Sequence, residues 1–399
     1  MKIKGAERLN NLPPYLFAEL EGLKFDCELS GKKVFDLSVG DPNFPTAPPI
    51  VESMIDGAKE ADNHRYPPFK GHVQFRQAVS SWYKRRFEVD LDPELEVLAL
   101  LGSKEGLSHI SLAFLDAGDL ALVPNPGYPA YAGGISLAGG TMAEMPLLEE
   151  NNFFVNVEEI PEETAQKAKI MFINYPNNPT GAVADVQDFA KIVDFAKRYN
   201  IIVVHDAAYS EVNFGDQLSP SFLEAPGAKE VGVEFHSLSK TFCMTGWRIG
   251  MVVGNAEVIN QLAKVKAFVD SGIFGAVQVA ATTALNDYLQ FDVNIKESYE
   301  RRLSIIVEGL KEYDWYLNSP KSGYFIWAKL PEGVPSMDFC KKLLSQTGVL
   351  VTPGIGFGEY GEGFVRISLN VQEAVLEEAI HLLGSVYREV KNNLKEEVF

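Results

Sequence analysis

The middle of the chain repeats one pattern: a short apolar run without polar alternation, a turn, then a stretch of helical spacing. KIMFINYP (169–176) is β-rich and ends at NNPTG, DVQDFAKIVDFAKRYN (185–200) is helical, and IIVVHDAAY (201–209) is continuously apolar again. VEFHSLSK (233–240) and WRIGMVVG (247–254) read as two further strands, and NAEVINQLAKVKAFV (255–269) as a helix. A strand that is apolar on both sides must be covered on both faces, and strands separated by helices run parallel. The expected architecture is therefore α/β, a mostly parallel sheet flanked by helices.

The pattern changes after about residue 285. NIKESYERRLSIIVEGLKEY (294–313) is a long amphipathic helix, while GYFIWAKL (323–330) and GFVRISL (363–369) alternate as half-buried strands do. FCKKLLSQTG and QEAVLEEAIHLLGSVYREV are helical, and REVKNNLKEEVF reads as a solvated helix end. The 399 residues suffice for two or three domains. A large domain is expected over 50–285. A smaller α+β domain is expected to combine 1–49, including the Pro-rich LPPYLF and GDPNFPTAPP, with 286–399.

Charge and composition exclude several functions. The net charge of −18 disfavours nonspecific nucleic-acid binding, so individual Arg and Lys residues become informative. Three scattered cysteines and six histidines without paired spacing indicate neither disulfides nor a metal site. No run approaches the ~18 apolar residues of a membrane helix, and MKIKGAERLNNLPPYLF lacks a signal peptide's apolar centre, so a cytoplasmic protein is expected.

In open parallel sheets, ligands sit beyond the carboxyl ends of the strands. Those ends carry Asn178, Asp206, Tyr209, Ser237, Ser239 and Lys240. The turn GSKEG (102–106) should open a helix whose free N–H groups suit a phosphate. Taken singly, each has a plainer explanation: Asp206 as a helix cap, Tyr209 as packing, Lys240 as solvated surface, GSKEG as any helix start. Together they supply an anion cradle, a carboxylate, a phenol and an amine, the set that pyridoxal 5′-phosphate requires.

SLSKTFCMTGWRIG (237–250) resembles the cofactor-lysine signature of class I/II aminotransferases, which share the aspartate aminotransferase fold. NNPTG (177–181), DAAY (206–209) and FVRIS (364–368) follow in that family's order, and the resemblance runs from about residue 10 to 390. Cys243 departs from it, standing where a small residue or asparagine is usual. The resemblance implies that Lys240 holds the cofactor aldehyde and later moves the proton. Asp206 faces the pyridine nitrogen, and Tyr209 and Asn178 face the ring oxygen. Tyr128, in PNPGYPAY, stacks on the ring. Ser103, Lys104, Ser237, Ser239 and Arg248 form the phosphate cup. Tyr66, in HRYPPFKG, reaches the phosphate of a neighbouring subunit, which makes the active unit a homodimer. Arg366 and Gly40 bind the substrate α-carboxylate, with Asn178 beside them.

Competing readings fail on context. PGIGFGEYG (353–361) has alternating glycines, but a strand follows rather than the helix a dinucleotide motif needs, and no GxxxxGK[ST] occurs. Aminotransferase-like regulators carry a fused DNA-binding module, which this sequence lacks. A β-lyase would use the same residues and stays open. For the substrate, LPPYLFAEL with Tyr15 and the SKEG turn with Lys104 resemble LL-diaminopimelate aminotransferases, whose matching residues contact substrate. DSGIF (270–274) departs from the asparagine-containing segment of that group. Aspartate- and alanine-type aminotransferases share much of the pattern.

Overall fold

The structure, a computed structural model, describes residues 3–12, 16–216, 218–287 and 293–397. Its strands are β1 (Phe35–Asp36), β2 (Val97–Leu100), β3 (Leu120–Asn125), β4 (Thr141–Pro146), β5 (Ala168–Asn174) and β6 (Ile202–Asp206). They continue with β7 (Gly232–Ser237), β8 (Gly250–Gly254), β9 (Phe325–Lys329), β10 (Val349–Leu350), β11 (Thr352–Pro353) and β12 (Phe364–Ser368). The central sheet has seven strands in the order β2-β8-β7-β6-β5-β3-β4. Strands β4, β3, β5, β6 and β7 are parallel, so β5, β6 and β7 end on one edge at Asn174, Asp206 and Ser237.

The sheet departs from the sequence reading at β7 and β8. VEFHSLSK ceases to be a strand at Ser237, whose hydroxyl accepts from the Ser239 N–H and caps one helical turn, 238–241. WRIGMVVG enters the sheet only from Gly250 and runs antiparallel to both neighbours. No helix crosses the sheet between these strands, so the chain reverses, as a short connection requires. That reversal holds the 238–249 loop, with Lys240 and Arg248, against the sheet edge.

Two apolar clusters cover the sheet, one with Met171, Ile173, Val203 and Met251, the other with Phe172, Val204, Phe235 and Val252. Successive residues of one strand thus face opposite cores, which is why these runs lack polar alternation. A covering helix shows the local logic. Residues 186–199 bury Phe189, Ile192, Val193 and Ala196, spaced three and four apart. The Asp185–Asp188 capping box opens this helix and Asn200 at φ 57° closes it.

The remaining strands form a three-stranded antiparallel sheet, β11-β12-β9, and the parallel pair β1-β10. A further cluster joins Phe325, Ile326, Val365 and Ile367 to helices 293–311, 336–347 and 373–397 through Ile306, Leu343 and Leu376. Ala208, Tyr209 and Val212 belong to this same cluster, so the polypeptide just past β6 packs against the second sheet. Among the described residues, no helix is long and apolar enough to cross a membrane.

Candidate active site

A cavity of about 640 Å³ opens where the ends of β5, β6 and β7 meet the second sheet. Lys240, Asp206, Tyr209, Asn178, Ser237, Ser239, Ser103, Lys104, Tyr128, Arg248, Arg366 and Gly40 all line it. These residues come from separate segments, and strand termination is what gathers them.

At the sheet floor, the last residue of β6, Asp206, is buried. Burial raises its carboxyl above the ordinary value, against the Tyr131 hydrogen bond, the Ala208 N–H and the nearby His205 and His236, which favour ionisation. The Tyr131 hydroxyl donates to Oδ2 at 2.8 Å, and Asn174 Nδ2 donates to the Asp206 carbonyl at 2.7 Å. Asn174 Oδ1 also accepts the Asn178 N–H at 2.8 Å, so one side chain ties two strand ends together. Behind Asp206, Glu234 contacts His205 at 2.8 Å and His236 at 2.9 Å, and the Tyr83 hydroxyl donates to it at 2.6 Å. Burial alone would raise Glu234, but the two histidines hold it well below the usual carboxylate range.

Lys240 Nζ donates to the Gly40 carbonyl at 2.7 Å, and the Tyr324 hydroxyl donates to the Lys240 carbonyl at 2.7 Å. Burial pulls the amine down to about 8, with Arg366 and Arg248 adding to the pull and Asp41 opposing it. An amine in this range is partly free base at neutral pH and can attack a carbonyl. Burial pushes the Tyr209 phenol upward, so it stays a donor at neutral pH.

One end of the cavity is built to take an anion. The helix 103–114 begins at Gly102, which offers its first turn no side-chain cap. Gly102 has φ +81°, and a Cβ there would lie 2.5 Å from Arg248 Nη2. Arg248 is itself left-handed at φ 56°, with Nη1 donating to Thr245 O at 2.8 Å. Glycine is thus required by conformation, whereas a Cβ would meet only the tip of the Arg248 side chain. Glu105 Oε2 accepts the Leu101 N–H at 3.0 Å and lies 3.6 Å from Lys266, which is fully buried and pairs with Asp270 at 2.8 Å.

At the opposite side, Arg366 on β12 donates Nη1 to Asn178 Oδ1 at 2.9 Å and Nη2 to Ser38 O at 2.8 Å. Its guanidinium carbon lies 3.9 Å from the Phe325 ring centroid. Burial lowers it to about 10, which leaves it charged at neutral pH. Asn178 offers Arg366 its amide oxygen, which leaves the amide N–H groups as donors.

One predicted residue lies elsewhere. Tyr66 is 90% exposed and does not line the cavity of its own chain. Tyr15 lies outside the described residues. Sequence reasoning passed over Tyr131, Asn174 and the Glu105–Lys266 pair. Tyr131 carried a usable signal, since it follows Tyr128 by three residues at a helix start. A larger cleft, about 1070 Å³, runs along 149–158, 180–185 and 316–321, and of the motifs named above only the 180–181 end of NNPTG and Phe364 of FVRIS reach it.

Comparison with known proteins agrees with this geometry. The family described as aminotransferase class I and II matches residues 32–383. An LL-diaminopimelate aminotransferase of Moorella thermoacetica is 47% identical over 97% of this chain and 99% of its own length. One from Aquifex aeolicus is 50% identical over 94% and 97%. Among solved structures, substrate-bound BacF from Bacillus subtilis superposes with a TM-score of 0.93 at 38% identity, covering 97% of this chain and 98% of that one. A Thermus thermophilus aspartate aminotransferase variant reaches 0.90 at 25% identity, covering 96% and 100%. With Lys240, Asp206 and Arg366 in one cavity and these likenesses spanning nearly the whole chain, the protein belongs to the class I and II aminotransferases.

Proposed function

We propose that this aminotransferase uses pyridoxal 5′-phosphate to move the amino group of LL-diaminopimelate to 2-oxoglutarate, in the cytoplasm and as a homodimer. The observation that carries the cofactor is the pairing of an amine lowered to about 8 with a buried carboxylate and an anion cradle that a Cβ at Gly102 would fill. The substrate rests on the named relatives above.

The cofactor, when bound, supplies the aldehyde that takes up the amino group and the ring that accepts electrons. Lys240 would anchor it and carry the proton at its Nζ. Asp206 would hold a protonated ring nitrogen, which offsets the cost of burying that carboxylate. Tyr209 and Asn178 would donate to the ring oxygen, and Tyr128 would stack on the ring. Ser103, Lys104, Ser237, Ser239 and Arg248 would take the phosphate, Arg248 through its fork. Arg366 would grip the substrate α-carboxylate, with Gly40 and Asn178 alongside. Donor and acceptor would use that grip in turn, which gives ping-pong kinetics.

Tyr66 supports the dimer. It stands exposed beside other exposed apolar side chains: Phe69, Phe268, Val269 and Phe274. A Cβ on Gly272 would lie 2.9 Å from Pro67, so these two segments adjoin and make one apolar patch. Turnover of LL-diaminopimelate with 2-oxoglutarate, measured against alanine and aspartate as alternative donors, tests the reading. Absence of turnover with that donor overturns the substrate. With a donor that carries a leaving group on Cβ, such as β-chloroalanine, elimination faster than amino transfer would favour a β-lyase.

A further inference from the structure

A buried charged cluster lies behind Asp206: His205 on β6, with Glu234 and His236 on β7. Successive strand residues face opposite sides of a sheet, so Asp206 looks into the cavity and His205 looks away from it. The surroundings agree. Asp206 meets Tyr131, whereas His205 packs among the Phe189 and Phe222 rings of the opposite core. His205 and Glu234 are register partners across β6 and β7, which sets them side by side on that far face.

The hydrogen bonds assign the protons. Glu234 takes the Tyr83 hydroxyl at 2.6 Å, the Ser221 hydroxyl at 2.8 Å, the Phe222 N–H at 2.7 Å and His236 Nε2 at 2.9 Å. Donors thus occupy both of its oxygens, and it acts as an ionised acceptor. His205 sets Nδ1 2.8 Å from Glu234 Oε2 and Nε2 2.9 Å from the Tyr175 carbonyl. Neither partner can donate, so both ring nitrogens carry hydrogen and the ring is an imidazolium. His236 has no such need, because its Nδ1 faces the Ser210 hydroxyl at 3.3 Å, which can donate.

As a source of stability the pair is a poor choice, since apolar side chains of similar size often match or better a buried ion pair. Its placement has a different effect. Strand β6 carries both the cation and Asp206, while the anion stands one strand further off. The nearer charge has the larger effect on Asp206. A cation behind the sheet favours an ionised Asp206 and occupies none of the space in front of it, where a ring must fit.

We propose that His205 is a positioning residue, an imidazolium locked between Glu234 and the Tyr175 carbonyl that keeps Asp206 ionised through the sheet. For the ring nitrogen expected at Asp206, this places the shared proton on the nitrogen rather than on the carboxyl. That consequence rests on the pyridoxal phosphate reading above.

Two measurements test it. The first uses the cofactor-free protein, in which Asp206→Asn relieves a buried carboxylate and should raise the melting temperature at neutral pH. With His205→Gln in the background, that rise should grow by about 2 °C, because the carboxylate has lost its cation. The double change His205→Gln with Glu234→Gln leaves no unpaired buried charge and so spares folding. The rise should grow there too, but by less, because Glu234 no longer adds an uncompensated negative charge. An unchanged rise in these backgrounds would mean that His205 only packs, and would overturn the proposal. The second measurement loads the protein with pyridoxal phosphate carrying nitrogen-15 in its ring. The native resonance should be that of a pyridinium, and His205→Gln should move it toward neutral pyridine. A growing rise with an unmoved resonance would overturn the link to the ring nitrogen. Should the protein take up no pyridoxal phosphate, the cofactor reading falls, and the cofactor-free comparison alone decides on His205.

Discussion

The two ends of the cavity are built differently. The anion end relies on backbone: an uncapped helix start, Gly102 at φ +81° and Arg248 at φ 56°, locked against each other. The end around Arg366 relies on side chains in series, from Asn178 and Ser38 out to Asp36 and Lys24, growing wetter with distance. Backbone geometry is set by the whole fold and tolerates little change, whereas a chain of side chains can be altered one at a time. The anion end is thus suited to a constant ligand and the other end to a variable one.

Substitutions at the cofactor side should strike every substrate alike. Lys240→Ala should lower kcat by at least about 10³-fold for all donors, because anchor and proton carrier are lost together. Peptide mapping after borohydride reduction should place the cofactor on Lys240 in the native enzyme and on no residue in the variant. An adduct on another lysine would break the division at its centre.

Asp206→Asn should keep the cofactor but cost on the order of 3 kcal/mol in the half-reaction, about 10²-fold by stopped flow. Its effect on the cofactor-free protein should have the opposite sign. The folded carboxyl lies above its unfolded value, so the folded state binds the proton more tightly. Stability is therefore lost as pH rises through the folded value, and neutral apoprotein carries that cost. The asparagine variant should melt higher than native apoprotein at neutral pH, with the gap closing as pH falls toward the ordinary carboxylate range.

Arg366→Lys tests the other end. Lysine cannot make the fork, so kcat/KM should fall about 30- to 100-fold for donor and acceptor equally, near the cost of breaking a buried charge pair. A loss confined to one substrate would mean that the α-carboxylate is held elsewhere. A smaller change is expected from Tyr131→Phe, which removes one hydrogen bond to Asp206 and should slow the half-reaction about fivefold, or ~1 kcal/mol, without altering substrate preference. The gentlest probe is pH. With Lys240 near 8, the rate at which apoprotein takes up the cofactor should rise from pH 6 to 9 with a midpoint close to that value. A midpoint above 10 would show the amine to be solvated.

The difference between the two ends also explains what the sequence disclosed. Apolar runs without alternation reported burial on both faces, so β5, β6 and β7 and the residues at their ends were legible. The direction of β8 was not, because WRIGMVVG is equally apolar whichever way it runs. The turn at 238–241 was hidden for a related reason: SLSK continues a strand-like run, and only the Ser237 cap ends it. Tyr131 escaped because a phenol on a helix next to aromatic residues looks like packing. His205 escaped because its partner, Glu234, is set beside it only by the pairing of β6 with β7.

The buried Lys266 has a practical consequence for anyone diversifying this enzyme. Glu105 places a carboxylate in the first turn of the helix whose open end is expected to receive a phosphate, and Lys266 lies beneath it, 3.6 Å away. Replacing Lys266 alone removes the buried ammonium from beside that carboxylate and leaves Glu105 with the Leu101 N–H and the His109 ring; replacing Glu105 alone leaves a buried ammonium held by Asp270. Positions 105, 266 and 270 therefore behave as one unit of variation, and a combinatorial library that samples them jointly should return cofactor-binding clones from neutral triads that no single-site library contains.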